Sequence, residues 1–362
     1  MFAAMQTGGH RVLVTGGAGF IGASLCVALA ERHRDWQIVA SDNLFRRGSE
    51  LNLPRLRATG VVFVHGDVRH SDDLERAGRF DALVECSAEP SVMAAVEGAS
   101  RFVVGTNLLG AHLCLELAAR HRAQVIFLST SRVYPIAGLN ALAFNETESR
   151  FSLLDEQSVA GASREGISES FALHGPRTLY GSTKLGAELL VAEYGAMHGL
   201  STTINRCGVI AGPWQMGKVD QGVFTHWILS AYLGRRLRYI GFGGTGKQVR
   251  DLLHIDDLVD LVELQLGDPV GWAGTTHNVG GGRAISLSLR EATALCEELI
   301  GKPLTVAESN DDRPGDVRIY LSDCRKLYAH TTWRPTRDAR RILGDTLAWI
   351  RRHEDLVVAA LD

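Results

Sequence analysis

Three glycines, at positions 16, 19 and 22, constrain this chain more than any other stretch. Arg11 to Thr15 is a short apolar run ending in glycines, and Phe20 to Arg32 carries apolar residues at helical spacing. In Thr15-Gly16-Gly17-Ala18-Gly19-Phe20-Ile21-Gly22 each glycine has a job. The first lets the chain turn tightly, the second lets backbone approach a pyrophosphate, and the third lets the helix pack on the strand. Backbone N–H groups and the helix dipole then face the phosphate charge. Glycine spacing alone is a weak signal, but a strand before it and a helix after it supply the required context.

The rest of the first half repeats that alternation. Apolar runs at Gln37 to Ser41, Val61 to Val64, Ala82 to Cys86 and Gln124 to Ser129 read as strands, and Thr202 to Asn205 reads as the next one. Amphipathic stretches at Thr106 to Arg120 and Tyr180 to His198 read as helices. Near-continuous apolar strands alternating with helices predict a parallel sheet covered on both faces. The fold class is therefore α/β, a Rossmann-type doubly wound sheet, with a smaller mixed C-terminal region. Residues 1–205 form the dinucleotide-binding domain, to which about 252–282 return through a helix at His254 to Leu266 and a strand at His277 to Val279. Residues 206–362 form mainly the substrate-binding region, with loops at Ala211 to Gln221 and Gly241 to Gly246 and helices at Ser288 to Ile300 and Ala339 to His353.

Twenty residues beyond Gly22, at the end of the second strand, stands Asp42. A carboxylate there accepts hydrogen bonds from the adenosine ribose and repels a 2′-phosphate, which favours NAD over NADP. Alone, Asp42 equally suits a turn before Asn43. The nearby Arg46-Arg47 reads as a surface pair or as a phosphate clamp. Asp67, just after the third strand, lies where it can meet an adenine amino group or simply close a strand-end turn.

Tyr180 and Lys184 are an i, i+4 pair on one helix face. An ammonium beside a phenol stabilises the phenolate and lowers its pKa. Such a tyrosine can take the proton of a sugar hydroxyl, while the lysine holds the nicotinamide ribose. The pair by itself also fits a solvated helix face. The third partner is Thr130, at the C-terminal end of the strand Gln124 to Leu128 and its continuation, where ligands bind in open α/β sheets.

Taken together, the glycine turn, Asp42, Asn107, Ser129-Thr130, Tyr180 and Lys184 resemble the extended short-chain dehydrogenase/reductase family of sugar-nucleotide epimerases and dehydratases. The resemblance covers nearly the whole chain. It implies catalytic roles for Thr130, Tyr180 and Lys184. It implies cofactor contacts at Gly16, Gly19, Phe20, Ile21, Gly22, Asp42, Asn43, Asp67, Val68, Ser87, Ala88 and Asn107, besides Tyr180 and Lys184. Gln248 to His254 resembles the segment whose arginine, here Arg250, holds a substrate diphosphate, and Arg313-Pro314-Gly315-Asp316 resembles a second one, through Arg313. A guanidinium forks onto phosphate oxygens; a surface ion pair is the plainer reading of either.

The family's 4,6-dehydratases carry Thr-Asp-Glu before Val-Tyr, the acids working in water elimination. Here the place reads Thr130-Ser131-Arg132. That argues for reversible oxidation without elimination. Ser129 to Tyr134, Asp220-Gln221-Gly222, Gly244 to His254 and the long insertion between Tyr134 and Tyr180 are similar to the CDP-paratose (CDP-tyvelose) 2-epimerases. The implied activity is epimerisation at carbon 2 of a nucleotide-diphosphate sugar with NAD kept bound. Epimerisation at carbon 4, a keto-sugar reductase and a nonenzymatic NAD-binding regulator are the alternatives. The usual His-Leu-Ala-Ala-like end of the fourth strand is replaced by Glu85-Cys86-Ser87-Ala88-Glu89-Pro90-Ser91. Glu89 and Ser91 are candidate sugar contacts, with buried or capping roles equally open.

Composition narrows the rest. With 38 basic and 41 acidic residues interspersed, nothing marks a nucleic-acid or anionic-membrane surface. Six scattered cysteines without a CxxC pair read as buried thiols. The 13 histidines show no metal-ligand spacing, and no metal is expected; His226 and His254 lie near the site but suit core or cap roles. No signal peptide and no apolar stretch of membrane-spanning length is read, so a cytoplasmic protein is expected. The resemblance further implies a homodimer formed through the helices Thr106 to Arg120 and Tyr180 to His198.

Overall fold

A computed structural model describes residues 9–94, 98–217, 222–309, 311 and 315–361. Seven parallel strands form the central sheet: β1 (Arg11–Thr15), β2 (Gln37–Asp42), β3 (Val62–His65), β4 (Ala82–Glu85), β5 (Gln124–Thr130), β6 (Thr202–Cys207) and β7 (Thr275–Val279). Their spatial order is β7-β6-β5-β4-β1-β2-β3. The order reverses between β1 and β4, whose registers pair Thr15 with Glu85. A crevice opens at such a switch point, outside the carboxyl ends of the strands.

Strand side chains alternate between two apolar layers. On β1, Val12 and Val14 pack with Leu25 and Leu29 of α1 (Phe20–Arg32). Leu13 between them packs in the opposite layer, which holds Ala111 and Leu115 of α2 (Ser100–His121) and Ala187 and Val191 of α3 (Leu179–His198). The first layer is completed by Leu258, Leu261 and Val262 of α4 (Ile255–Gly267), entered through His254, whose ring accepts from Asp256 N–H. The expected doubly wound sheet is the fold, and the strands fall within a residue or two of their apolar runs.

One reading is corrected. Helix α2 is 22 residues long and apolar enough by composition to cross a bilayer, contrary to the expectation that no stretch approaches that length. It starts six residues before the helix read from the sequence and includes a π turn at Gly105–Leu109. Half of its most apolar window is buried in the protein.

The smaller region is built on Val249–His254, which pairs in parallel with Val209–Ala211 and Ile319–Tyr320 and antiparallel with Ser286–Ser288. Helices Val223–Tyr232, Leu289–Ile300 and Ala339–Arg352 close over it with Trp227, Ile228, Ala292, Ile342 and Leu347 in one core. A capping box between Ser288 and Glu291 starts the second of these helices. The insertion between Tyr134 and Tyr180 folds into two short hairpins, Phe144–Glu146 with Phe151–Leu153 and Ala162–Ser163 with Gly166–Ile167. It is fastened to the smaller region by Phe151 N–H to Lys247 C=O and Ile167 N–H to Leu321 C=O.

Candidate active site

A cleft of about 310 Å³ lies at the ends of β1, β4, β5 and β6, lined by Gly16, Gly19, Phe20, Ile21, Gly22, Thr130, Tyr180 and Trp214 among others. A second cavity of about 120 Å³ shares Gly16, Gly19, Cys86 and Ala88 with it and runs to Asp42, Asn43, Val68, Ser87 and Glu89. The glycine turn forms their common wall. Gly16 sits at φ +63°, and a Cβ there would lie 2.9 Å from Cys86 O. A Cβ on Gly22 would lie 2.2 Å from Gly16 O, a clash with backbone that cannot yield. Gly19, by contrast, would meet only Gly16 O, at 3.2 Å, so its open side faces the cavities. A long groove over a helix N-terminus with no side chain in the way fits a dinucleotide.

The carboxylate of Asp42 accepts from Ala18 N–H at 3.1 Å and Leu44 N–H at 2.7 Å, so it also ties the glycine turn to β2. Burial pushes its pKa up against those two bonds. Asp67 is gripped by Arg69 at 2.6 Å and accepts from Asn43 Nδ2 at 2.8 Å, and the arginine holds it well below the usual carboxylate range. Its neighbours Gly66 and Val68, rather than Asp67, line the cavity. Arg46 lines both cavities and reaches Met216 C=O at 3.4 Å, whereas Arg47 donates to Ala359 C=O at 3.0 Å.

Thr130 ends β5 and caps the turn that follows, its Oγ1 accepting from Arg132 N–H at 3.2 Å. Thr178 caps α3 in the same way through Gly181 N–H. A Cβ on Gly181 would fall 2.1 Å from Arg132 O, so the missing side chain is what lets α3 press against that turn and set Tyr180 beside Thr130. Both residues line the larger cleft. Burial pushes the Tyr180 phenol up to about 12, while the Thr130 hydroxyl and the Arg132 charge pull the other way.

Lys184 meets a partner that the sequence spacing did not announce. Its Nζ is buried 3.4 Å from Glu85 Oε2 and 3.9 Å from the centroid of the Phe127 ring. The ammonium is thus answered by a carboxylate, and the Arg132 charge also pulls the phenol pKa down.

The remaining predicted residues divide. Asn107, in the π turn of α2, lines neither cavity. Its side chain accepts from Glu89 N–H at 2.7 Å and donates to Glu89 C=O and to Thr183 Oγ1, clasping the loop after β4 to α3. Glu89 lines the smaller cavity and accepts from Ser91 N–H at 3.0 Å. Ser91 is a cap, its Oγ accepting from Met93 and Ala94 N–H. Arg250 pairs with Asp316 at 2.8 Å beside Ser131, Arg132 and Thr178. Arg313 lies outside the described residues, as do Asp220 and Gln221. His254 is a buried helix cap, and His226 lines a separate cavity of the smaller region.

Two features had no signal in the spacing. One is Glu85. The other is a buried network in which Arg206 donates to both oxygens of Glu188, at 2.8 Å from Nη2, and Glu188 accepts from Ser129 Oγ, next to Thr130. Arg206 Nη1 reaches Tyr134 OH at 3.3 Å, and that hydroxyl donates to Asn278 Oδ1 at 2.7 Å.

Residues 12–280 match the NAD dependent epimerase/dehydratase family, a span that holds the glycine turn, Thr130, Tyr180 and Lys184. The chain belongs to that family. Members of this family that resemble it include the CDP-paratose 2-epimerase of Salmonella typhi, 28% identical over 91% of this chain and 96% of that one. A dTDP-glucose 4,6-dehydratase of Actinoplanes sp. is 29% identical over 94% of this chain and 98% of its own. Among solved structures, a double mutant of DesIV, the dTDP-glucose 4,6-dehydratase of Streptomyces venezuelae, was crystallised with NAD. It superposes with a TM-score of 0.79 at 27% identity, covering 97% of this chain and 99% of that one. The UDP-glucose 4-epimerase of Thermus thermophilus in complex with NAD gives 0.75 at 26% identity, over 94% and 99%. Epimerases and dehydratases thus stand at similar distance, and NAD is the cofactor they share.

Proposed function

We propose that this member of the family is a nucleotide-sugar epimerase that oxidises its sugar transiently and reduces it again, at carbon 2. The observation that carries the reading is the chemistry of the cleft around Tyr180. Among its described lining residues there is no carboxylate, and the two positions where the dehydratases place acids are Ser131 and Arg132. Elimination of water needs a proton donor and a base on adjacent carbons. Among its described lining residues Tyr180 is the one phenol, with Thr130 as its hydroxyl partner. The similarity to the Salmonella CDP-paratose 2-epimerase supports carbon 2.

NAD, when bound along the glycine turn, supplies the oxidation and its reversal. The residues of this chain do the rest. Tyr180 takes the proton of the sugar hydroxyl and later returns it; Thr130, within reach of both, orients that hydroxyl. Lys184 would hold the nicotinamide ribose. Asp42 meets the adenosine ribose, Asn43, Val68, Ser87 and Ala88 line the groove around it, and Asn107 keeps the loop over it in place. Arg250, joined by Arg313, holds the sugar diphosphate and must exchange Asp316 for phosphate oxygens to do so. We also propose a homodimer through α2 and α3. Leu109 (47% exposed), Leu189 (63%) and Met197 (74%) leave apolar side chains on these two helices uncovered.

The test begins with mass spectrometry of the nucleotides retained on purification. A panel of CDP-, dTDP- and UDP-sugars follows, with product analysis by NMR in deuterated water. Expected is a carbon-2 epimer, no added reductant, and no solvent deuterium on carbon. A product lighter by one water would make the enzyme a dehydratase. Stoichiometric consumption of reduced cofactor would make it a reductase.

A further inference from the structure

The buried pair Glu85–Lys184 goes beyond that reading and rests on its assignment of Tyr180. Glu85 closes β4 directly beneath the loop that lines both cavities, and only 2% of it is exposed. Its Oε2 faces Lys184 at 3.4 Å. Its Oε1 is buried without a hydrogen-bond partner; burial pushes the carboxyl pKa up, and the Lys184 ammonium, helped by the Ser87 N–H, pulls against that rise. Lys184, also 2% exposed, has the Phe127 face on another side. Desolvated charges of opposite sign hold each other in place.

We propose that Glu85 is a positioning residue: it holds the buried Lys184 ammonium one helical turn beyond Tyr180 and cancels part of its charge at that phenol. The other titratable groups facing this pair are Cys86 on the same loop, Cys114 on α2 and Cys207 on β6. Burial raises all three thiols, so they are neutral near neutral pH, and Cys207, pushed up to about 12, ionises in the same alkaline range as the phenol in wild type and variant alike. The Thr130 hydroxyl lowers the phenol pKa and the Cys207 thiol raises it. Glu85 raises the phenol pKa, and Arg132 lowers it. Through an effective dielectric of about 20, removing one charge at second-neighbour distance moves a pKa by about one unit.

The experiment is an alkaline titration of the tyrosinate absorbance in the protein as purified, for wild type and Glu85→Gln, with Tyr180→Phe in each background subtracted. No sugar is needed, so the outcome is independent of whether the substrate has been found. Expected is a Tyr180 ionisation about one pH unit lower in Glu85→Gln. The acid limb of kcat/KM, once a substrate is in hand, should move the same way. An unshifted ionisation overturns the proposal while leaving Tyr180 as the base. If Glu85→Gln does not accumulate as folded protein, Glu85→Asp decides. It keeps the charge but withdraws it by one methylene, and an ionisation identical to wild type then overturns the proposal. A purely packing role for Glu85 would change expression or melting without moving the titration.

Discussion

Replacing Glu188 by glutamine tests whether the network behind Thr130 is held by charge. Arg206 is 7% exposed and Glu188 is 4% exposed, and the guanidinium bonds both carboxylate oxygens. The substitution preserves shape and one acceptor but leaves a buried cation without its counter-charge. Breaking one side of such a pair costs about 3–5 kcal/mol. Unfolding entropy near the midpoint is about 2.1 cal/mol/K per residue, so 362 residues give about 0.8 kcal/mol/K, and the expected loss in Tm is ~4–7 °C. Differential scanning calorimetry on wild type and variant reads it directly. The double replacement Glu188→Leu with Arg206→Met removes both charges and should recover most of the loss, because an apolar pair of similar volume is often neutral or better. The reasoning is refuted if Glu188→Gln melts within about a degree of wild type, or if the double variant is worse than the single one by the sum of both charges. Turnover offers a second readout. Ser129 donates to Glu188, so the variant should also lower kcat through the seat of Thr130.

Three further outcomes are expected. Gly22→Ala forces a Cβ to within 2.2 Å of Gly16 O, so the purified variant should retain less than about a tenth of the wild-type NAD by mass spectrometry, the helix having moved off the strand. Tyr180→Phe should keep its NAD and lose about 10²–10⁴-fold in kcat; undiminished turnover would remove Tyr180 from the role of base. Asp251 is fully buried, and desolvation raises its pKa to about 6, so the folded state binds a proton more tightly than the unfolded chain does. Its contribution is therefore present below the unfolded value near 4 and is lost as pH rises through about 6, a change of ~3 kcal/mol. Asp251→Asn should flatten that part of the stability-versus-pH curve, as read by urea unfolding across the window.

The sheet was legible because β1, β2, β4 and β5 are covered on both faces and carry apolar centres, a pattern that needs no partner to be read; β6, which buries Thr203, Asn205 and Arg206, shows it least. The glycine turn was legible for a related reason: backbone approaching backbone excludes a Cβ wherever the chain goes next. Lys184 was found by spacing, but its surroundings were not. Glu85 is 99 positions away, and nothing local says that an acid ending one strand will meet a lysine on a distant helix. Asn107 was read as a cofactor residue by resemblance; that its amide joins a loop to a helix had no local signal. Helix α2 looks membrane-like in composition because one side faces the sheet layer and the other carries exposed apolar residues such as Val104 and Leu109. The Glu188–Arg206 pair lies on a helix and a strand whose contact only the fold creates.

The clasp at Asn107 has a mechanical consequence. One amide grips the rim loop through both the N–H and the C=O of Glu89, and the same amide grips Thr183, the residue just before Lys184. A rim that lifts to admit a dinucleotide therefore tugs on the helical turn bearing the lysine. Settling of the rim and setting of the catalytic helix become a single latch rather than two separate adjustments. A cofactor that leaves would have to unfasten both at once.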